Sequence, residues 1–358
     1  MNNNQKTLII LTPAFPANEQ DSVWVPPKQL FVKKLKENFP GLNIIVLSFN
    51  YPFHQQTYSL FNVQVTAFNG LKKRKLNRLL LWNSVWKKLN ELRKENTIAG
   101  ILSFWCGECA LVGRYFAKRH KLNYFCWISG LDATKDNRLI KFIRPQGKEL
   151  VAMSEFLYKE FYTTHHKKPQ HIIPIGIDPA EFTQPPVERD IDILGVGSFN
   201  PFKQYDVFIR IVKKLSLTFP SIKAVICGAG TEKENLQQLI TELQLENNIT
   251  LAGVKPHAEV LQWMQRAKIF IHPSAYEGFG AVCLEALYAG AEVISFCDPM
   301  ELKIPKWHIV KTTEEMTNKA HELMNHPRQD YSPVLLYSMS DSTKAMMKLF
   351  GIENNHLS

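Results

Sequence analysis

The most constraining feature of this 358-residue sequence is a segment that predicts a strand, a glycine loop and a helix in direct succession. Residues 268–271 form a short apolar run of strand type, and residues 282–287 form an apolar run of helical type. Between them, Gly278 and Gly280 allow the backbone to approach a bound group closely. The segment therefore predicts an α/β unit with a ligand-binding loop.

The chemistry of this loop indicates the kind of ligand. The start of a helix offers free N–H groups and the positive end of its dipole to an anion such as a phosphate. Glu277 before the helix and Glu285 within it add acceptors for hydroxyl groups. Apolar neighbours on nearly all sides predict that Glu285 is buried and needs a partner. A phosphate beside a polyol indicates a nucleotide sugar.

The same residues carry a resemblance to a known family. Residues 277–286 spell E-G-F-G-x-x-x-x-E-A, which resembles the donor-site motif of family-4 retaining glycosyltransferases of GT-B fold. Segments 195–199, 225–230 and 248–254 extend the similarity over about residues 190–297, in the family's order. The resemblance implies an α/β protein of GT-B fold, with two Rossmann-like domains whose parallel sheets face across a cleft.

The activity implied by this resemblance is retaining transfer of a sugar from a nucleoside-diphosphate sugar to a glycan or lipid-linked acceptor, in polysaccharide or glycolipid biosynthesis. Lys203 and Glu277 take the catalytic positions, Lys203 as the cation that stabilises the leaving diphosphate. Ser198 replaces an arginine of the family pattern, and Gln204 replaces a glycine. The donor-binding residues implied by position are Ser198, Val254, Lys255, Gly278, Phe279, Gly280, Ala281, Val282 and Glu285.

The first half of the chain resembles the family less closely. Ser129 stands where the family has an acceptor-side histidine, and Thr12 to Pro16 replace its paired glycines. Asp132 either takes a polar role beside the acceptor or is a turn residue, and its sequence context leaves both interpretations open.

Alternating strand and helix patterns predict two domains with parallel sheets. The boundaries are residues 1–178 for an acceptor domain and 190–336 for a donor domain, with a linker at residues 184–186. By family resemblance, a last helix within residues 337–358 packs back on the first domain. The predicted strands are residues 7–11, 43–49, 100–104, 124–128, 148–154, 192–197, 224–227, 249–251, 269–272 and 292–295.

The net charge of +10 is unevenly distributed along the chain. Residues 1–180 contain 26 Lys and Arg against 12 Asp and Glu, whereas residues 181–358 contain 17 against 21. The densest basic run, residues 71–89, has Leu and Trp at helical spacing. This composition fits a helix on an anionic membrane surface, or equally a solvated basic face whose apolar stripe packs inside its own domain. No recognition motif accompanies the charge, so nucleic-acid binding is not expected.

Two other functional classes remain as alternatives. Cys106 and Cys109 follow a predicted strand and open a helix, as in a cytosolic thiol-disulfide oxidoreductase. The other alternative is a catalytically silent GT-B protein that binds partners or membranes. Asp190 and Asp192 spell a metal-binding D-x-D, but they only enter a strand. We therefore expect no metal site, no cofactor and no metal requirement beside the nucleotide-sugar co-substrate.

The expected location is the cytoplasm. The apolar run near the start of the chain is too short for a signal peptide core, and no run approaches the length of a spanning helix. If the basic half docks on lipid, the protein is peripheral at the inner face of the membrane.

Overall fold

The computed structural model describes residues 5–21, 25–70, 76–182, 188–325 and 330–353. It divides into two compact units. The first contains the chain up to Gly176 together with the segment from Met339 onward, and the second runs from Ile177 to Ser338. The predicted linker at residues 184–186 lies outside the described residues.

The first unit is built on an eight-stranded sheet. Its strands are β1 (Lys6–Ala14), β2 (Asn43–Tyr51), β3 (Gln56–Leu60), β4 (Val63–Ala67), β5 (Thr97–Phe104), β6 (Asn123–Trp127), β7 (Leu150–Ala152) and β8 (His171–Ile172). Their order across the sheet is β3-β4-β2-β1-β5-β6-β7-β8, and only the β3–β4 pair is antiparallel. The helices of this part are α1 (Pro26–Asn38), α2 (Leu76–Glu95), α3 (Glu108–His120), α4 (Ile140–Ile143) and α5 (Glu155–His165).

The two central strands explain why the sequence predicts a parallel sheet. β1 and β2 are buried along nearly their whole length rather than at alternate residues. Continuous apolar runs of this kind are typical of parallel strands covered by helices on both faces. Ser154 caps α5 by accepting a hydrogen bond from the N–H of Leu157 at 3.0 Å.

The second unit contains a six-stranded sheet in which all neighbours are parallel. Its strands are β9 (Ile191–Val196), β10 (Ala224–Cys227), β11 (Ile249–Gly253), β12 (Ala267–His272), β13 (Glu292–Ser295) and β14 (Trp307–Ile309). Their order is β11-β10-β9-β12-β13-β14, which is the 3-2-1-4-5-6 order of a Rossmann sheet. The helices are α6 (Tyr205–Ser216), α7 (Lys233–Glu242), α8 (His257–Arg266), α9 (Ala281–Tyr288) and α10 (Thr313–Asn325).

The C-terminal helix belongs to the first unit. Helix α11 (Met339–Leu349) packs against α1, and the side-chain amide of Asn38 donates a hydrogen bond to Thr343 Oγ1 at 2.7 Å. The Ser342 hydroxyl also donates to the carbonyl of Pro174 at 2.8 Å. The chain therefore leaves the first unit, forms the second, and returns to the first.

Several elements differ from the sequence prediction. The β3–β4 hairpin, β8, β14 and α10 are present without having been predicted, and the predicted strand 148–154 is shortened because a 3₁₀ turn occupies Gly147–Glu149. The remaining predicted strands are present with ends within a few residues of the prediction. Among the described residues, no helix combines the length and apolar character needed to cross a membrane.

Candidate functional site in the second unit

The strand order of the second unit determines where a ligand site can form. The order in which strands are added to the sheet reverses between β9 and β12, so the connections that follow these two parallel strands lead to opposite sides. In open α/β sheets, ligands bind in the crevice outside such a switch point. The backbone carbonyl of Phe202 accepts hydrogen bonds from Ala275 N at 2.8 Å and Ser274 Oγ at 3.2 Å. These bonds hold the two loops together at the predicted ligand loop.

Lys203 is positioned by the loop after β9. The Asn200 side chain accepts a hydrogen bond from the Lys203 N–H at 3.2 Å and caps the 3₁₀ turn Pro201–Lys203. Gln204 then adopts a left-handed conformation with φ of 49°, and α6 begins at Tyr205. The turn directs the Lys203 side chain toward the loop after β12.

Glu277 is the partner of Lys203. Its carboxylate forms an ion pair with the Lys203 ammonium, and the same Oε2 atom lies 3.2 Å from His272 Nε2. Burial alone would raise the pKa of Glu277, but the hydrogen bond with His272 and the positive charge of Lys203 outweigh it and lower the pKa to about 2. Glu277 is therefore ionised at neutral pH.

The glycine loop leads from Glu277 into α9. Gly280 has φ of +73°, a left-handed conformation that favours glycine, and α9 begins at the next residue. The N–H groups of Ala281 and Val282 lie at the start of this helix, where α-helical geometry provides no acceptor. Gly278 and Phe279 before them are buried. The loop thus presents backbone donors and the positive end of the α9 dipole near the Lys203–Glu277 pair.

Glu285 is buried, as the sequence predicts. Only 8% of the residue is exposed, and its Oε1 atom lies 2.8 Å from His257 Nε2. Burial lowers the pKa of His257, but the charge and hydrogen bond of Glu285 raise it further, so the net direction is upward. The partner that a buried carboxylate requires is therefore an imidazole at the start of α8.

The other predicted donor-side residues lie in separate parts of the second unit. Ser198 is exposed after β9 and accepts a hydrogen bond from Asn200 Nδ2 at 2.8 Å. Val254, 52% exposed, and Lys255 follow β11, which is separated from β9 by β10. Lys255 forms an ion pair with Glu259 at 3.0 Å. Ion pairing and hydrogen bonding join Lys203, His272 and Glu277 into one group. Val254 and Lys255 have no described contact with this group.

The aspartates of the D-x-D sequence are both paired with cations. Asp190 Oδ1 accepts a hydrogen bond from Arg266 Nε at 2.8 Å, and Asp192 forms an ion pair with Lys268 at 2.7 Å. The Arg266 hydrogen bond lowers the pKa of Asp190. These carboxylates act as ion-pair partners in the second unit, as expected for residues that enter a strand.

The first unit contains a cavity of about 300 Å³ at the carboxyl ends of its central strands. Its strand order also reverses, between β1 and β5, so this cavity occupies the corresponding switch point. The ion pair between Arg78 and Glu108 contributes to its wall, and Asn50 Oδ1 is buried without a hydrogen-bond partner among the described residues. The lining residues are Pro13, Phe49, Asn50, Arg78, Phe104, Trp105, Gly107, Glu108, Cys109 and Leu139.

Ser129 and Asp132, the predicted acceptor-side residues, are not among the residues that line this cavity. The Asp132 carboxylate accepts hydrogen bonds from the backbone N–H groups of Ser129 at 2.8 Å and Cys106 at 2.9 Å. Burial raises the pKa of Asp132 to about 6, although these hydrogen bonds and Lys28 oppose the shift. These hydrogen bonds are typical of a turn residue, and a role beside the acceptor stays a prediction.

Cys106 and Cys109 are both buried, with 0% and 2% of the residue exposed, although Cys109 also lines the cavity. The pKa of Cys106 is raised by its hydrogen bond with Cys126 and by burial, and burial raises the pKa of Cys109. A redox-active thiol needs the opposite, a lowered pKa and access to solvent. The environment of these two thiols is that of inert buried cysteines.

The basic helix of the sequence corresponds only in part to a described element. Residues 71–75 lie outside the described residues, and α2 follows them. Leu81, Val85 and Leu89 are fully buried at helical spacing, and the Trp86 ring contacts Phe116 edge-on with centroids 5.0 Å apart. The apolar stripe therefore packs inside its own unit, while Leu79 and Leu80 remain exposed.

Sequence analysis missed several residues of both sites. His272 lies within the strand-to-loop segment itself, but as the last residue of a continuous apolar run it resembles an ordinary strand end. His257 lies 28 positions from Glu285, with no local signal linking the two. The cavity in the first unit combines residues from three strands, and its residue types form no motif along the chain.

Comparison with known proteins identifies the class to which this geometry belongs. Residues 178–306 match the family model described as Glycosyl transferases group 1. Solved structures similar over almost the whole chain have the GT-B fold. The predicted resemblance to GT-B glycosyltransferases is thus confirmed at the level of group 1, and so is the GT-B fold with two Rossmann-like domains, while membership of family 4 stays a prediction.

Individual relatives give the scale of the similarity. The gpi3 subunit of phosphatidylinositol N-acetylglucosaminyltransferase from Schizosaccharomyces pombe is 25% identical over 203 residues, 55% of this chain and 44% of that protein. A sucrose-phosphate synthase from Thermosynechococcus elongatus superposes with a TM-score of 0.68 at 15% identity, covering 96% of this chain and 95% of that one. Anabaena HepE in complex with UDP and glucose gives 0.66 at 15% identity, with 96% and 94% covered. The match spans less than half the length of the first two curated relatives.

Proposed function

We propose that this protein is a retaining glycosyltransferase that moves a sugar from a nucleoside-diphosphate sugar to a glycan or lipid-linked acceptor. The observation that carries the proposal is the Lys203–Glu277–His272 group at the switch point of a Rossmann-ordered sheet, beside the first turn of α9. The family match over residues 178–306 covers these residues. The similar structure of HepE was solved in complex with UDP and glucose. UDP is therefore the first nucleotide to test.

The donor diphosphate binds where positive charge and free donors meet. Lys203 and the N–H groups of Ala281 and Val282 face the negative charge that develops on the leaving group. Glu277 lies beside the sugar, and Glu285, oriented by His257, accepts hydrogen bonds from the donor ribose. Lys203 and the helix start supply the charge stabilisation, so the reaction requires no metal ion.

The proposed reaction retains the anomeric configuration. The bond between the anomeric carbon and the diphosphate oxygen breaks, and the acceptor oxygen bonds to the same carbon from the face that the diphosphate leaves. The acceptor proton passes to the departing phosphate, so no protein nucleophile is required. Correct positioning of the two substrates and stabilisation of the leaving charge provide the catalysis.

The acceptor binds in the cavity of the first unit. This cavity combines aromatic walls, supplied by Phe49, Phe104 and Trp105, with polar groups from Asn50 and the Arg78–Glu108 pair. Aromatic surface with a few placed polar groups suits a hydroxyl-bearing acceptor. A lipid-linked acceptor would require the protein to work in the cytoplasm at the inner face of a membrane.

The test compares two lysines that each pair with a carboxylate in the same unit. Lys203→Ala removes the leaving-group cation and should lower turnover by roughly a hundredfold or more, the scale seen when one stabiliser of a developing anion is removed. Lys268→Ala breaks the Lys268–Asp192 pair at the start of β12 and should leave turnover close to that of the wild type. Turnover is measured as release of nucleoside diphosphate that depends on both donor and acceptor.

Three outcomes would contradict the proposal. Wild-type turnover in folded Lys203→Ala would exclude its role at the leaving group. Absence of donor-dependent nucleotide release across a panel of nucleotide sugars, with nucleotide binding retained, would favour the silent binding protein. Inversion of the anomeric centre, observed by NMR of the product, would exclude the retaining mechanism.

A further inference from the structure

A cluster of thiol and imidazole groups lies directly beneath the glycine loop. The ligand atoms of His272, Cys283 and Cys297 all lie within 4.8 Å of one another. A Cβ atom on Gly280 would lie 3.6 Å from Cys283 Sγ and 3.7 Å from Cys297 Sγ. Both sulfur atoms are therefore next to Gly280 of the loop. Neither cysteine has a role in the proposed reaction.

The three residues come from three consecutive elements. His272 ends β12, Cys283 lies in the second half-turn of α9, and Cys297 follows β13. Two thiolates and one imidazole form a ligand set that zinc uses, and tetrahedral coordination at a Zn–S distance of about 2.3 Å places two sulfurs about 3.8 Å apart. Ligand atoms within 4.8 Å of one another reach this geometry through small side-chain movements.

We propose that His272, Cys283 and Cys297 bind a thiophilic divalent cation, with Zn²⁺ as the principal candidate. The bound ion links the glycine loop to the ends of β12 and β13. Three protein ligands leave the fourth position for a water molecule. The ion takes no part in the bond changes of the proposed reaction, and its effect is to hold the loop that binds the donor.

The surroundings of the cluster favour metal binding. The thiols of Cys283 and Cys297 are hydrogen-bonded to each other, so one cation can contact both sulfur atoms. Burial raises the pKa of Cys283, whose proton the cation displaces on binding. Glu277 lies 3.2 Å from His272 Nε2, and coordination through Nδ1 would leave Nε2–H to donate to this carboxylate. Metal-bound histidines commonly have such a carboxylate partner.

The first measurement uses the unaltered protein, reduced and freed of metal under a non-thiol reductant. Titration with Co²⁺ should give thiolate-to-cobalt charge transfer and the visible bands of tetrahedral Co²⁺ at one equivalent, and Zn²⁺ should abolish both. Zn²⁺ should also raise the melting temperature, because the ion binds only the folded site. Peptide mass spectrometry should show that Zn²⁺ slows alkylation of Cys297. Absence of the charge-transfer band and unchanged alkylation would overturn the proposal.

Matched variants locate the site among the six cysteines. Cys297→Ser, at a partly exposed position, should lose the charge-transfer band and the Zn²⁺-dependent rise in melting temperature. Cys227→Ser, in the same unit, should retain both, since its thiol donates to the Gly253 carbonyl at 3.3 Å and serine preserves this donor. If Cys297→Ser keeps the band and Cys106→Ser/Cys109→Ser loses it, the cation binds in the first unit and the proposal is wrong.

Discussion

Lys28 is the most unusual single residue of the first unit. Only 3% of it is exposed, and its Nζ atom lies 3.3 Å from the centre of the Trp127 ring. Nζ has no hydrogen-bond partner among the described residues. Burial lowers the pKa of Lys28 well below its usual value, although Asp132 opposes the shift. Folding therefore favours loss of a proton that the unfolded chain retains up to about pH 10.4.

This shift predicts a pH-dependent difference between the wild type and Lys28→Met. Where the unfolded state binds more protons, the free energy of unfolding rises with pH, by up to about 1.4 kcal/mol per pH unit for one group. Lys28→Met, which keeps the apolar stem, should be more stable than the wild type near neutral pH. The difference in free energy of unfolding between this variant and the wild type should shrink as the pH rises from the lowered pKa of Lys28 to about 10.4. Urea unfolding of both proteins at pH 7 and pH 9.5 measures this, and a difference independent of pH would contradict the assignment.

The cysteine pair of the first unit provides a second test at the scale of single residues. Because both thiols are buried and have raised pKa values, Cys106→Ser/Cys109→Ser should retain transferase turnover. Burying two hydroxyl groups in place of thiols should lower stability, so circular dichroism must first show that the variant is folded. Because Cys109 also lines the proposed acceptor cavity, Cys106→Ser is measured alongside, and loss of turnover in both folded variants would support the oxidoreductase alternative.

The loop between β12 and α9 is the element on which donor binding depends. Gly280→Ala places a side chain at φ of +73°, which costs roughly 1–2 kcal/mol for a left-handed residue, while the nearest atoms leave ordinary space for the new carbon. Relief of this strain should displace Glu277 or the first turn of α9. We expect weaker UDP binding, measured by isothermal titration calorimetry, together with lower stability.

Gly351→Ala is the matched control for this loop. Gly351, which follows α11 in the first unit, has φ of +66°, and no other atom lies within 4 Å of the point where a Cβ would be. Its substitution should produce similar backbone strain without any change in UDP affinity. Equal loss of affinity in both variants would indicate a general effect of stability rather than of loop geometry.

The elements predicted from the sequence are those whose apolar pattern is continuous. β1, β2, β9 and β12 are buried on both faces, so an uninterrupted apolar run identifies them. The β3–β4 hairpin was missed because β3 is largely exposed and its turn uses Phe61 and Asn62, both at positive φ, rather than a glycine. β8 and β14 contain two and three residues, too few to show any period.

On the donor side of the candidate site, only the residues that lie close together in the sequence could be predicted. Glu277, Gly280 and Glu285 lie within nine residues of one another, so their spacing is visible in the sequence. The contacts of Lys203 with Glu277 and of His257 with Glu285 join residues 74 and 28 positions apart, and folding alone brings them together. The burial of Lys28 among aromatic rings likewise depends on three separate elements.

At the scale of the whole molecule, the distribution of charge is the feature that the fold leaves unexplained. Residues 1–180 carry a charge of +14 and residues 181–358 a charge of −4. Leu81, Val85 and Leu89 are buried, so this apolar stripe packs inside its own unit, which is one of the two interpretations left open by the sequence. Leu79 and Leu80, 54% and 61% exposed, still lie close in sequence to the basic residues 72–75. We therefore propose that charge, aided by these two leucines, attracts the protein to an anionic surface.

Liposome sedimentation tests this attraction. Each basic residue near an anionic membrane contributes about 1 kcal/mol, so Lys72, Lys73, Arg74 and Lys75 together should shift partitioning by several powers of ten at low salt. The protein should sediment with anionic vesicles but not with neutral ones, and salt should release it. Reversal of these four charges to Glu should also release it. The near-matched control Lys118→Glu/Arg119→Glu/Lys121→Glu, at exposed positions around the end of α3, should leave most of the binding intact. Protein that stays in the supernatant with both vesicle types at low salt would show that the charge instead steers a soluble anionic acceptor.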